Sequence, residues 1–167
     1  MENEITISRL SKELRMLIVA FLVTLSVGYF TGLNFINKTS TFQPSGIENN
    51  YLGNENDENA EIMQFKKPQK EILTIVHNHI LSMSIIFFLI GFLLHFSSLN
   101  KKLKKFLIIE PFVSIILTFG GIYILWSGIL WFKYIVMFSG IVLTLTFILS
   151  TIFILKDALF PFVNPKH

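Results

Sequence analysis

The sequence predicts an all-α integral membrane protein, a bundle of four helices with both termini on the cytoplasmic side (N-in, C-in). The main observation is four long apolar stretches that carry almost no charge. Each clears the roughly 20 residues that a helix needs to cross a hydrocarbon core about 30 Å thick. In addition, 52% of the 167 residues are hydrophobic, and they are gathered in blocks. The predicted spans are residues 16–36, 72–98, 106–126 and 129–155, within a single membrane domain of residues 1–167.

The placement of basic residues predicts the orientation. The N-terminus, the loop after the second span and the C-terminus share one side of a four-span protein, and nine of the fourteen Lys and Arg residues lie there. Positive residues in short loops favour the cytoplasmic side. This topology accounts for the net charge of +3, so we expect no nucleic-acid partner. The expected partners are membrane lipids, other membrane proteins or further copies of this chain.

Glycines in the spans indicate close packing. Gly28 and Gly32 have the small-xxx-small spacing that lets two helices approach closely. We expect them to pack within the bundle, with homodimerisation as the alternative. Further expected packing points are Gly91, Gly120, Gly121 and Gly140.

The outer loop, residues 37–71, contains several local signals. Pro44-Ser45-Gly46 is typical of a turn. The acidic, Asn-rich stretch Asn49–Asn59 lacks the ligand spacing of an EF-hand, so it predicts a solvated loop rather than a calcium site. Pro68 indicates the start of the second helix. A short apolar segment between these signals predicts contact with lipid headgroups or packing over the bundle mouth; it contains Ile62, Met63 and Phe65.

Glu110-Pro111 is expected in the first turn of the third span, where proline is tolerated. A shallow carboxylate near the lysines that precede this span predicts an interfacial anchor, with a proton relay as the alternative. Trp126, Trp131 and Tyr134 surround the last, short hairpin, where an aromatic belt is expected.

Histidines in the second span are the main hint of chemistry. A stripe that carries His77 and His95 is expected to face the bundle interior, with His79 on the opposite side. Eighteen residues separate His77 from His95, about 27 Å at helical rise, so they cannot share one ligand. A metal bound by both His77 and His79 would need an unwound turn. His79 and Met83 at helical spacing would suit copper.

The second span also resembles a known haem protein. The segment "HNHILSMSIIFFLIGFLLH" is similar to the second helix of haem-copper oxidase subunit I. The resemblance implies that His79 is an axial ligand of a haem b. No other span contains a histidine, so the second ligand would come from a partner protein, or a dimer would pair His77 or His95 with its mate.

The chain as a whole resembles uncharacterised, small four-span inner-membrane proteins of bacteria with a His-x-His motif after a polar loop. The residues that carry this resemblance are "PSGIENNYLGNE", "FKKPQKE" and "HNHILSMS". It implies a multi-pass protein of the bacterial cytoplasmic membrane and no particular activity.

The sequence offers no catalytic constellation. It has no cysteine, no carboxylate pair within the spans and no phosphate-binding glycine loop. The expected function is therefore a non-enzymatic accessory or assembly component of a membrane complex. The alternative is a haem- or copper-binding redox protein that uses the second-span histidines, and a small transporter is a third hypothesis.

Overall fold

A computed structural model describes residues 6–55, 60 and 62–160, and within them the chain is helical and contains no strand. Its helices are α1 (Lys12–Ser40), α2 (Pro44–Leu52), α3 (Gln69–His95), α4 (Lys101–Ile115), α5 (Gly121–Trp126) and α6 (Phe132–Leu159). A π-helical turn, Ile116–Gly120, joins α4 to α5, so Lys101–Trp126 is one continuous span. With α1, α3 and α6 this makes four helices long and apolar enough to cross a membrane. The predicted four-helix membrane bundle is confirmed.

Helices α1 and α4 begin earlier in the chain than their apolar runs predict, because polar residues cap their N-termini. The Ser11 hydroxyl accepts a hydrogen bond from the Leu14 amide, and the Asn100 side chain accepts one from Leu103 at 2.9 Å. Both are N-caps, which satisfy amides that have no partner within the helix. The lysines after Asn100 are therefore helical, and Pro111 lies in the interior of α4 rather than in a first turn. Pro68 precedes α3 as predicted.

Helix α6 is the centre of the bundle and packs against α1, α3, α4 and α5. Its buried residues recur every three or four positions, as one face of a helix requires. That face is unusually polar: Ser139, Thr146, Ser150 and Asp157 alternate with apolar side chains along it. Three other helices meet at this polar face of α6.

The segments predicted to share a side meet at one end of the bundle, which we call the basic end. The Ile7 amide donates to the Phe96 carbonyl at 2.9 Å. The Arg15 guanidinium donates to the Ala158 carbonyl at 3.0 Å. Lys104 donates to the carbonyl of His95, where α3 ends, at 2.9 Å. These bonds join the chain before α1 to the α3–α4 loop, the start of α1 to the end of α6, and α4 to the end of α3.

The opposite end, which we call the outer end after the predicted topology, is covered by α2. Ile47 of α2 is buried in an apolar cluster with residues of α3, α5 and α6. Glu48 forms an ion pair with Lys133 at 2.5 Å. Pro44–Leu52 is thus a helix that caps the bundle, which corrects the expected turn at Pro44-Ser45-Gly46 and the expected solvated loop from Asn49 to Leu52. Residues 56–59 and 61 of the acidic stretch lie outside the described residues.

Residues 62–67 complete this cap. The Trp126 indole donates to the Lys67 carbonyl at 2.8 Å, and the Lys66 ammonium lies 4.8 Å from the centre of the same indole ring. Three apolar side chains of the segment remain exposed, which favours the expected contact with lipid headgroups over packing on the bundle; they are Ile62, Met63 and Phe65.

The glycines divide into two groups. A Cβ on Gly121 would lie 2.9 Å from Val136 Cγ2, one on Gly91 3.6 Å from Ile108 and one on Gly140 3.9 Å from Thr118, so packing within the bundle is confirmed at these positions. A Cβ on Gly120 would meet only Ile116 of its own span, at 4.0 Å. A Cβ on Gly28 or Gly32 would meet nothing within 4 Å. The expectation that these two glycines pack within the bundle is wrong, because their face of α1 is unoccupied.

Candidate functional site

The histidines of α3 lie inside a regular helix. α3 begins at Gln69, eight residues before His77, so His77 and His79 are two positions apart in a regular helix and their side chains diverge. The unwound turn that one shared metal would need is not present there. His95 is the last residue of α3, at its other end. Within the described residues, no group of three or more His, Cys, Asp or Glu side chains could hold a metal ion.

The expected inward stripe of α3 is corrected by the structure. His77 and His95 are both exposed, although Gly91 on the same stripe is buried. Between Ile72 and Phe87 no residue of α3 is fully buried, so the outer half of this helix is only partly covered by its neighbours. At the basic end His95 is exposed because α3 stops there, and its ring packs edge-on against Phe96.

His79 has the most defined surroundings of the histidines. Its Nδ1 lies 2.8 Å from the Ile75 carbonyl, and its ring stacks on Phe119 of the π-helical turn with centroids 4.6 Å apart. Because a carbonyl can only accept, Nδ1 donates and Nε2 of the neutral ring keeps its lone pair. A backbone carbonyl that fixes the tautomer in this way is typical of ligating histidines. Met83, one turn further on, is half-buried against the apolar core.

Glu110 lies at the boundary between α4 and α6. Thr146, near the middle of α6, donates to Glu110 Oε2 at 2.6 Å, and Ser114 donates to Oε1. Because α4 begins at Lys101, Glu110 lies about 13 Å along the span at helical rise. Glu110 forms no ion pair with the lysines at the start of α4 among the described residues; its half-buried carboxylate instead bonds across the boundary to α6. An intramembrane carboxylate with hydroxyl partners marks a candidate functional site.

Two further hydroxyl pairs lie along α6 toward its outer end. Thr118 of the π-helical turn and Ser139 are 2.7 Å apart between their hydroxyl oxygens. The Tyr29 hydroxyl is 3.2 Å from that of Thr144, and its ring stacks on Phe147 with centroids 3.9 Å apart. These bonds connect α1 and the third span to α6 through polar groups, which are a common means of joining helices in a membrane.

The polar face continues from Thr146 toward the basic end. The hydroxyls of Ser150 and Thr151 are buried and have no hydrogen-bond partner in the part of the chain that the structure describes. Beyond them, Asp157 accepts from both the amide and the hydroxyl of Ser98. The polar face of α6 thus contacts Glu110 of α4 at Thr146 and carries Asp157 near its end, with the two unpaired hydroxyls of Ser150 and Thr151 between these levels.

Asp157 was not predicted as a residue of the site, because the apolar run of the fourth span ends two residues earlier, at Leu155. The signal was the spacing: Asp157 follows Ser150 by seven residues and Thr146 by eleven, which places all three on one helical face. Glu110 was recognised in sequence, but its depth depended on where α4 begins, which the Asn100 cap determines.

These features define a small multi-pass membrane protein in which a central polar helix face is enclosed by three other spans. The model of the Aq_1264_TM family, a transmembrane helical domain, matches residues 41–165, and the chain belongs to this family. No curated protein and no solved structure matches the chain.

Proposed function

We propose that this chain is a non-enzymatic subunit or assembly component of a larger complex in the bacterial cytoplasmic membrane. The observation that carries the proposal is the exposed surface of α1 and α3. This surface has polar side chains and glycines that no other helix of the bundle covers. In their most apolar stretches only 11% of the residues are buried, against 39% for Lys101–Trp126 and for α6. Most of the surface of α1 and α3 is therefore available to other proteins.

Three exposed amide and imidazole side chains of α1 and α3, which have no hydrogen-bond partner among the described residues, lie at similar depths. Asn34 lies six residues before the outer end of α1, and His77 and Asn78 lie eight and nine residues after the outer start of α3, which is about 9 to 13 Å along either helix. We call these three residues the polar band. An amide or imidazole exposed to hydrocarbon is unfavourable unless it finds a hydrogen-bond partner. A neighbouring transmembrane helix from another subunit would supply one.

The unoccupied glycines of α1 support the same conclusion. Gly28 and Gly32 lie six and two residues before Asn34 and are exposed. Small residues allow the backbone of a second helix to approach closely, and polar side chains then hydrogen-bond across the contact. α1 therefore offers a close-packing surface at Gly28 and Gly32 that the bundle itself does not use, and an exposed amide at Asn34 on another side of the same helix.

Photo-crosslinking in native membranes tests this proposal. A photoreactive residue is placed at Thr31 on α1 or at Leu81 on α3, with Leu145 on the exposed side of α6 as a matched control. We expect adducts with one defined polypeptide from Thr31 and Leu81, and lipid adducts alone from Leu145. Lipid adducts alone at all three positions would contradict the proposal, and adducts only with a second copy of the chain would replace it with a homo-oligomer.

A second candidate function is haem or copper binding, favoured by His79. Its Nδ1 contact with the Ile75 carbonyl leaves Nε2 as a ligand, and Met83 lies on the same helical face as its i+4 neighbour. Copper would use His79 with Met83, whereas haem b would need a second axial ligand from another subunit.

Absorption spectra of the oxidised and dithionite-reduced protein, with metal analysis of the same sample, test this second function. A Soret band or stoichiometric copper that is lost in His79→Ala and retained in His95→Ala would support it. A colourless, metal-free protein from cells supplied with iron and copper would exclude it.

A further inference from the structure

A membrane-facing groove runs between α4 and α6 from the basic end of the bundle. Its volume is about 570 Å³, and Lys102 and Lys105 line its mouth. Deeper in, the walls are largely apolar, with Val113 and Leu117 on the third span and Phe138 on α6. The groove thus combines a cationic mouth at the level of the headgroups with an apolar channel that enters the hydrocarbon region.

The charge at the mouth is uncompensated. Lys102 and Lys105 are three residues apart on one face of α4, and neither belongs to an ion pair among the described residues. The first turn of α4 contains no acidic residue. Cations at a helix N-terminus are disfavoured by the helix dipole, whereas an anion there is stabilised by both the dipole and the lysines. Lys104 is different, because it donates to the carbonyls of His95 and Ser97.

The polar groups deeper in the groove are already paired. Glu110 and Ser114 line it, but both oxygens of the Glu110 carboxylate accept hydrogen bonds, from Ser114 and from Thr146. The Ser139 hydroxyl is paired with Thr118 and with carbonyls of its own helix. The groove therefore offers few unpaired polar groups along its length and suits an alkyl chain.

We propose that this groove binds an anionic glycerophospholipid, with its phosphate between Lys102 and Lys105 and one acyl chain along α4 and α6. The length is suitable: fifteen residues separate Lys102 from Leu117, about 22 Å at helical rise. Half of a hydrocarbon core is about 15 Å, so the groove spans a headgroup and one leaflet. Basic pockets between helices on the cytoplasmic side are typical sites for anionic headgroups.

The experiment measures retained lipid by native mass spectrometry of the full chain, released from nanodiscs that contain phosphatidylglycerol and phosphatidylcholine. The test variant is K102Q/K105Q. The matched control is K12Q/K101Q, which removes the same charge from exposed positions at the same end but outside the groove. We expect wild type and control to retain one phosphatidylglycerol. We expect binding to K102Q/K105Q to be about 25-fold weaker, which is about 2 kcal/mol at 1.4 kcal/mol per factor of ten.

A second variant tests the apolar part of the site. Val142→Phe places a larger side chain in the groove wall and leaves both lysines unchanged. We expect it to weaken phosphatidylglycerol retention, and we expect inorganic phosphate not to displace the lipid from wild type. Equal retention by K102Q/K105Q and K12Q/K101Q would overturn the proposal, as would equal retention of phosphatidylcholine. Displacement by phosphate would overturn it in favour of a free-phosphate site.

Discussion

Ser98 holds the carboxylate of Asp157 through two hydrogen bonds, from its backbone amide at 2.6 Å and from its hydroxyl at 2.7 Å. The contact joins the loop after α3 to the last turns of α6. Asp157 is only 7% exposed, whereas Ser98 is exposed, so the two bonds are partly shielded from solvent. Hydrogen bonds to a charged group contribute more to stability than those between neutral groups, about 1.5–3 kcal/mol each. Asp157 therefore has a structural role at the basic end.

Asp157→Ala should lower the free energy of unfolding by about 2–3 kcal/mol, because it removes the acceptors of both hydrogen bonds from Ser98. Asp157→Asn keeps one acceptor and should lose roughly half as much. Reversible unfolding in mixed detergent micelles measures both effects. Lys156→Ala, at the exposed neighbouring position, is the control. Equal effects at Asp157 and Lys156 would contradict the structural role.

The contact between Glu110 and Thr146 can be measured with a double-mutant cycle. Glu110→Leu and Thr146→Val each remove one partner, and we expect a coupling free energy of about 0.6 kcal/mol and at most about 1.7 kcal/mol, the range found for hydrogen bonds between membrane helices. Thr144→Val is the control partner, because Thr144 bonds to Tyr29. A cycle of Glu110→Leu with Thr144→Val should give a coupling near zero. A coupling as large as that between Glu110 and Thr146 would contradict a specific hydrogen bond between those two side chains.

The sequence predicted the four spans because length and apolarity alone determine whether a helix can cross a bilayer. It could not predict which faces of the helices meet. Gly28 and Gly32 have the spacing of packed glycines, yet only the arrangement of the bundle shows that their face of α1 is unoccupied. The same limit applies to His77, which lies on a polar stripe that points outward in the outer half of α3.

The helix that forms the outer cap could not be predicted from the sequence either. The stretch after Pro44 is polar and short, and its helix α2 is stabilised by tertiary contacts, namely Ile47 in the apolar cluster and the Glu48–Lys133 ion pair. These partners come from distant segments of the chain. Glu110 shows the same limit within a span. A carboxylate in an apolar stretch marks a candidate site in the sequence, but its position along α4 depends on where the Asn100 cap begins the helix.

Adjacent glycines in the third span provide a packing test. Gly121→Ala would place a Cβ 2.9 Å from Val136 Cγ2, whereas Gly120→Ala would place one 4.0 Å from Ile116 Cγ2 of its own helix. Overpacking a well-filled contact typically costs about 1–3 kcal/mol. We expect Gly121→Ala to lower the free energy of unfolding by that amount and Gly120→Ala to leave it unchanged or raise it slightly. Equal losses would show that α5 and α6 are not in close contact there.

Tyr51 of α2 provides a test of the outer cap by pH. Burial against the bundle raises the pKa of Tyr51 from 10.0 to about 12. A raised pKa means that the folded cap holds the phenol proton more tightly than the unfolded chain. Stability from this group is therefore fully present below pH 10 and is lost as the pH rises from about 10 to about 12.

The tyrosinate absorbance of wild type minus that of Tyr51→Phe isolates this titration, because the other three tyrosines are common to both proteins. We expect a difference curve with its midpoint near pH 12. Unfolding in detergent between pH 10 and 12 should show a steeper loss of stability for wild type than for Tyr51→Phe, since lysine titration affects both equally. A midpoint near 10, the ordinary value for tyrosine, would mean that α2 does not pack on the bundle in solution.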